Sequence, residues 1–127
     1  MADNERLICD SDALVERGMG IRFELPELGR YVTGFVVRFE GKPYAYVNQC
    51  AHMTVELDWN EGDFFDLSQN YLMCATHGAH FLPDTGYCVM GPCSGKSLVP
   101  VEVNERANKI FINLNSFLES MKHVGSR

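Results

Sequence analysis

Two short clusters carry the chemistry of this chain: Cys50-Ala51-His52 and Cys74-Ala75-Thr76-His77. Each places one thiol and one imidazole within reach of a single tight loop. Thiolate and neutral imidazole are the side chains that hold zinc, copper and iron–sulfur centres. Cys50 and His52 can face a common centre where the backbone bends sharply, and so can Cys74 and His77. Gly78 follows the second pair and permits backbone angles closed to other residues. The 21 residues between His52 and Cys74 let the two loops approach from opposite sides.

Three readings of these four residues stand side by side. A structural zinc site takes two Cys and two His in a tetrahedron. Zinc fingers, however, group Cys with Cys and His with His, whereas each pair here is mixed. Coincidence, with buried Cys acting as small apolar residues, accounts poorly for two tight mixed pairs. A [2Fe–2S] cluster with two Cys on one iron and two His on the other calls for mixed pairs. Each loop then supplies a Cys to the first iron and a His to the second.

The elements that must position these loops read mostly as strands. Ile21, Phe23 and Leu25 alternate with polar residues, and Phe35, Val37 and Phe39 alternate on a second run. Period-two alternation is the mark of a strand with one buried face. Glu40-Gly41-Lys42-Pro43 reads as a turn into Tyr44-Ala45-Tyr46-Val47, a hairpin that delivers Asn48, Gln49 and Cys50 at a strand end. Val99, Val101 and Val103 alternate again, and an Asn104-Glu105-Arg106 turn leads into Lys109 to Ile112. These elements predict an all-β fold of antiparallel layers.

Residues 48–93 read as a loop-rich insert holding both Cys/His pairs, the turn Pro83-Asp84-Thr85-Gly86 and Gly91-Pro92. Gly and Pro at such spots mark turns. Ser11 to Glu16 predicts a short turn ending at Gly18. Leu114, Phe117, Leu118 and Met121 recur at helical spacing, with Ser116 and Glu119 as a capping box. A short C-terminal amphipathic helix over about 115–123 is expected, packed on the β base.

Composition bounds the rest. The 127 residues suit one domain spanning 1–127. A net charge of −6, with 11 scattered Lys and Arg, argues against a nucleic-acid partner. No apolar run approaches a membrane span, and the acidic N-terminus lacks a secretory signal. A cytoplasmic protein is expected. Five Cys at uneven spacing make a poor disulfide framework, and in a reducing compartment a Cys cluster more often binds metal.

The ordered set C-x-H, a 21-residue spacer and C-x-x-H-G resembles the signature of the Rieske [2Fe–2S] family. The likeness runs on through Phe81, Asp84-Thr85-Gly86, Gly91-Pro92 and Leu98-x-Pro100-Val101, over roughly residues 20–112. It implies antiparallel β layers with a cluster-binding subdomain, two ligand loops and a third loop holding Gly91-Pro92. It implies one [2Fe–2S] cluster per chain, with Cys50 and Cys74 on one iron and His52 and His77 on the other.

Departures from the pattern carry information. Respiratory-type members have an extra Cys in each ligand loop, forming a disulfide; Val55 and Thr76 stand there in this chain. Those members also place Ser and Tyr hydroxyls near the cluster sulfurs, where this chain has Ala79 and Phe81. Two thiolates leave the oxidised cluster neutral, so its potential exceeds that of an all-Cys ferredoxin. Without hydroxyl donors to sulfur the potential should lie at the low end of the Rieske range, about −150 mV.

The resemblance implies a stand-alone ferredoxin that carries single electrons between a reductase and an oxygenase-type acceptor, and no enzyme. A small Rieske subunit, a redox sensor or a zinc interaction module are the alternatives. A terminal oxygenase needs a separate two-His-one-carboxylate iron site, and only His80 and His123 remain for it. Cys88 and Cys93 read as buried small residues rather than a redox pair, Cys9 as inert, and His80 as a strand residue outside the ligand set. Trp59, Glu56, Asp58, Glu61 and Asp63 fill the spacer, either framing the cluster or forming a solvated loop.

Overall fold

A computed structural model describes residues 5–50, 55–58, 60–75, 78–93 and 95–114. Its strands are β1 (Glu5–Asp10), β2 (Ile21–Glu24), β3 (Thr33–Phe39), β4 (Lys42–Val47), β5 (Leu72–Met73), β6 (His80–Phe81), β7 (Cys88–Met90), β8 (Pro100–Arg106) and β9 (Lys109–Asn113). Six form an antiparallel sheet in the order β1-β9-β8-β4-β3-β2, and β5-β6-β7 form a second, three-stranded sheet. All paired strands run antiparallel. Ser11–Ala13 and Pro26–Leu28 form single 3₁₀ turns, the first within the turn expected after Ser11.

Two tight hairpins set the register of the large sheet. Glu40 and Gly41 join β3 to β4 with φ of 52° and 82°. Ala107 and Asn108 join β8 to β9 with φ of 52° and 62°. Two successive positive φ angles match the right-handed twist of the flanking strands. The second turn differs from the expectation. Asn104, Glu105 and Arg106 lie in β8, where the Glu105 and Arg106 side chains find partners across the sheet instead of bending the chain. Arg38 grips Glu105 at 2.8 and 3.0 Å, and Arg106 pairs with Glu5 on β1.

The large sheet curls until its outer strands meet, with the Arg6 guanidinium donating to the Glu24 carbonyl. Inside the curl lies an aliphatic core of Leu14, Leu25, Val36, Ala45, Val47, Val101, Ile110, Ile112 and Leu114, with Phe23. The opposite face of β3 and β4 presents Phe35, Val37, Phe39 and Tyr46 to a second core shared with the small sheet. Strand β3 is therefore buried on both faces over Gly34–Val37. Burying each such side chain stabilises by roughly 1.5–3 kcal/mol. No helix among the described residues is long and apolar enough to cross a membrane. The expected helix over about 115–123 lies outside the described residues.

Candidate metal centre

Cys50 ends the segment that leaves β4, and Cys74 follows directly on β5. Each thiol opens a loop closed in the same way. The Cys50 N–H donates to the Val55 carbonyl at 2.8 Å, and the Cys74 N–H to the Ala79 carbonyl at 2.8 Å. Both bonds reach five residues ahead. Gly78 adds a bond to the Cys74 carbonyl at 2.9 Å and sits at φ +73°, the backbone freedom expected of it. The two loops touch through the Ala75 N–H, which donates to the Leu57 carbonyl at 3.0 Å. Cys50 and Cys74 both remain thiols, and both are buried in the second core beside Leu57, Ala79 and Phe81. His52 and His77 lie outside the described residues, as does Trp59.

A buried polar network fixes the first loop. Asn48 is 1 % exposed. Its Oδ1 accepts the Leu57 N–H at 2.9 Å, and its Nδ2 donates to Asp58 Oδ1 at 3.0 Å. Asp58 Oδ2 accepts the Gly62 N–H at 2.9 Å and faces Arg22 at 3.7 Å. Arg22 also pairs with Glu56 at 2.7 Å, and Thr33 donates to the same carboxylate oxygen at 2.6 Å. Glu56 and Asp58 thus anchor their part of the spacer to β2 and β3, while Glu61 and Asp63 are exposed. Sequence reasoning missed Asn48; its place at the end of an apolar strand run, two residues before a thiol, was the available signal.

A third loop follows β7. Gly91, at φ +99°, lies so close to Ala79 that a Cβ there would stand 2.8 Å from the Ala79 Cα. Behind it, Cys88 and Cys93 are joined in a disulfide. This corrects the reading of the two as separate buried small residues. Both are buried, as expected, but the turn between them brings their sulfurs together.

His80 lies on β6, where it was expected. Its Nδ1 donates to the Gly78 carbonyl at 2.7 Å, and Nε2 stands 3.4 Å from Asp66. The ring thereby ties the end of the second cysteine loop to the segment before β5. Cys9 sits half-buried against the aliphatic core, where burial pushes its thiol above the ordinary range. Ala79 and Phe81 are fully buried and carry no hydroxyl, so neither side chain donates a hydrogen bond.

Two buried thiols thus stand at matched positions of two loops on an antiparallel β frame. Residues 8–116 match the Rieske [2Fe-2S] domain, and the chain belongs to that family. The donor set fits the family's cofactor on its thiolate side, since Cys50 and Cys74 are the buried cysteines that are not disulfide-bonded.

Solved structures share the fold. The ferredoxin of carbazole 1,9a-dioxygenase from Nocardioides aromaticivorans IC177 superposes with a TM-score of 0.68 at 22 % identity, covering 87 % of this chain and 98 % of that one. A chain of the complex of reduced oxygenase and oxidised ferredoxin in carbazole 1,9a-dioxygenase gives 0.69 at 21 %, covering 87 % and 93 %. The Sphingomonas yanoikuyae B1 ferredoxin gives 0.67 at 17 %, covering 87 % and 98 %. No curated protein matches the chain.

Proposed function

We propose that this protein is a one-electron carrier, a ferredoxin passing electrons between a reductase and an oxygenase-type acceptor. Cys50 and Cys74 would hold one iron of a [2Fe–2S] cluster as thiolates, and His52 and His77 the other as neutral imidazoles. The observation that carries the reading is the matched pair of buried thiol loops within a Rieske-family chain. When bound, the cluster supplies a reversible one-electron couple. The chain's own residues bury the thiolates, close each loop by a backbone hydrogen bond and tie the two loops together through Ala75 and Leu57.

The likeness to ferredoxins solved with an oxygenase supports the choice of acceptor. No substrate-transforming site accompanies the centre in this reading, so the chain acts as a component and not as an enzyme. The net charge of −6 suits steering toward a basic partner patch, so association should slow as salt rises. A cytoplasmic setting fits a carrier of this kind.

Electron paramagnetic resonance of the dithionite-reduced holoprotein tests the ligand set. A spectrum of mixed His/Cys ligation, one electron taken up per chain and a midpoint near about −150 mV are expected. Zinc without iron, or an all-Cys spectrum, would overturn the assignment. Reduced protein that a Rieske oxygenase does not reoxidise would remove the carrier role. The Ala79→Ser/Phe81→Tyr variant restores donors near sulfur and should raise the midpoint by about 59 mV or more, a tenfold change for one electron.

A further inference from the structure

The Cys88–Cys93 disulfide bears on the third loop in a way that the ligand set does not require. Both sulfur-bearing residues are buried, while Val89, Met90, Gly91 and Pro92 between them are exposed. The bond therefore clamps the base of an exposed turn. Gly91, at the tip of that turn, presses backbone to backbone on Ala79. Ala79 in turn accepts the Cys74 N–H that closes the second cysteine loop. A contact chain runs from the disulfide through Gly91 and Ala79 to Cys74.

The surroundings accommodate both states of the pair. Backbone bonds from the Cys88 N–H to the Lys96 carbonyl at 2.8 Å, the Lys96 N–H to the Cys93 carbonyl at 2.9 Å and the Leu98 N–H to the Gly86 carbonyl at 2.8 Å tie the backbone flanking the turn, outside the exposed residues 89–92. Once reduced, a Cys88 thiol has an acceptor within reach, since its Sγ lies 3.4 Å from the Met90 carbonyl. The bonded residues are only five apart in sequence. So short a closed loop constrains the unfolded chain weakly, and the bond acts mainly on the local turn.

We propose that Cys88 and Cys93 form a reversible thiol–disulfide site, opened by a dithiol reductant, that fixes the third loop against the second cysteine loop. One thiolate of the reductant attacks a sulfur of the pair; the S–S bond breaks as a mixed disulfide forms. The reductant's second thiol displaces the protein sulfur. Two electrons and two protons end on Cys88 and Cys93, and the reductant leaves as a cyclic disulfide. Opening frees the turn, lifts Gly91 from Ala79 and loosens the Cys74 loop. The consequence for the cluster, though not the thiol chemistry, rests on the ligand assignment above.

The test uses the holoprotein, handled anaerobically and equilibrated with mixtures of reduced and oxidised dithiothreitol. Alkylation and peptide mapping count thiols, while amide exchange is followed at Cys74 and Gly78. Cys88 and Cys93 should become alkylated together and reversibly, with the large sheet still protected. Exchange at Cys74 and Gly78 should rise at least tenfold in the opened state. A Cys88→Ser/Cys93→Ser variant should show the fast exchange with or without dithiol. Should that variant not fold, chemical opening of the wild-type chain still decides. A bond that opens only with global unfolding overturns the proposal, and so does opening that leaves Cys74 and Gly78 exchange unchanged. Iron and sulfide analysis of the same samples reports the cluster separately: iron-free protein with reversible opening would sink the ligand assignment and leave this proposal standing.

Discussion

On one face of β3 and β4 the sheet buries Val36, Ala45 and Val47 among aliphatic side chains; on the other it buries Phe35, Val37, Phe39 and Tyr46 among aromatic rings and four cysteines. The aliphatic side is assembled by strands of four to seven residues in continuous ladders. The other side draws on strands of two or three residues and the loops between them. Ladders that short cannot hold themselves. Their place is taken by the Phe35–Phe64 stack at 3.9 Å, the buried Tyr46 hydroxyl donating to the Pro83 carbonyl at 2.7 Å, the Asn48–Asp58 network and the disulfide. The difference teaches that the base is held by continuous ladders and the site side by specific local ties.

The strongest way to break this comparison is to remove a proposed ligand. Cys74→Ser should reduce bound iron to near zero. Amide protection should vanish at Leu72, Met73, His80 and Phe81 while Ile110 and Ile112 keep theirs. Equal loss on both sides would show one cooperative core, not two.

Truncation on each side sharpens it. Phe35→Ala should cost about 3–5 kcal/mol and Ile112→Ala about 2–5 kcal/mol in denaturant titration. Iron per folded chain should fall only for Phe35→Ala. A smaller effect is expected for Asn48→Ala, which strands the Leu57 N–H and an Asp58 oxygen. It should cost about 1–3 kcal/mol for each buried group left unsatisfied, and weaken iron retention because the first loop loses its anchor.

The smallest effect belongs to the exposed edge of the base. The Arg38 hydrogen bond holds the Glu105 carboxyl below the usual carboxylate range. A depressed folded-state value stabilises the protein above the ordinary glutamate pKa, and that contribution is lost as pH falls through the folded value. Glu105→Gln should therefore lower stability by no more than about 1 kcal/mol at pH 7. The gap from wild type should close in acid, with iron content untouched at neutral pH.

Much of the base was legible because its strands obey simple alternation: Phe35, Val37 and Phe39 point one way, as their spacing requires. Val36 was not, since alternation assumes one buried face and β3 has two. Asn104–Arg106 resembled a turn by composition, whereas cross-strand ion pairs of Glu105 and Arg106 keep the segment extended. The thiol loops were legible from spacing and from Gly78. The Asn48–Asp58 network was not, because nothing in a sequence distinguishes a buried carboxylate from a solvated one. Nor was the disulfide, whose pairing depends on how the Gly91-Pro92 turn folds back.

The chain leaves β4 at Val47 and rejoins the sheet at Val99, and the Val47 N–H donates to the Val99 carbonyl at 2.9 Å. The whole excursion between them, both thiol loops included, starts and finishes at one rung of the ladder. Changing the length of such a detour costs the scaffold little loop entropy. Natural selection can thus exchange the electrochemical module, or retune it residue by residue, through a doorway one peptide wide, without renegotiating a single strand pairing beneath it.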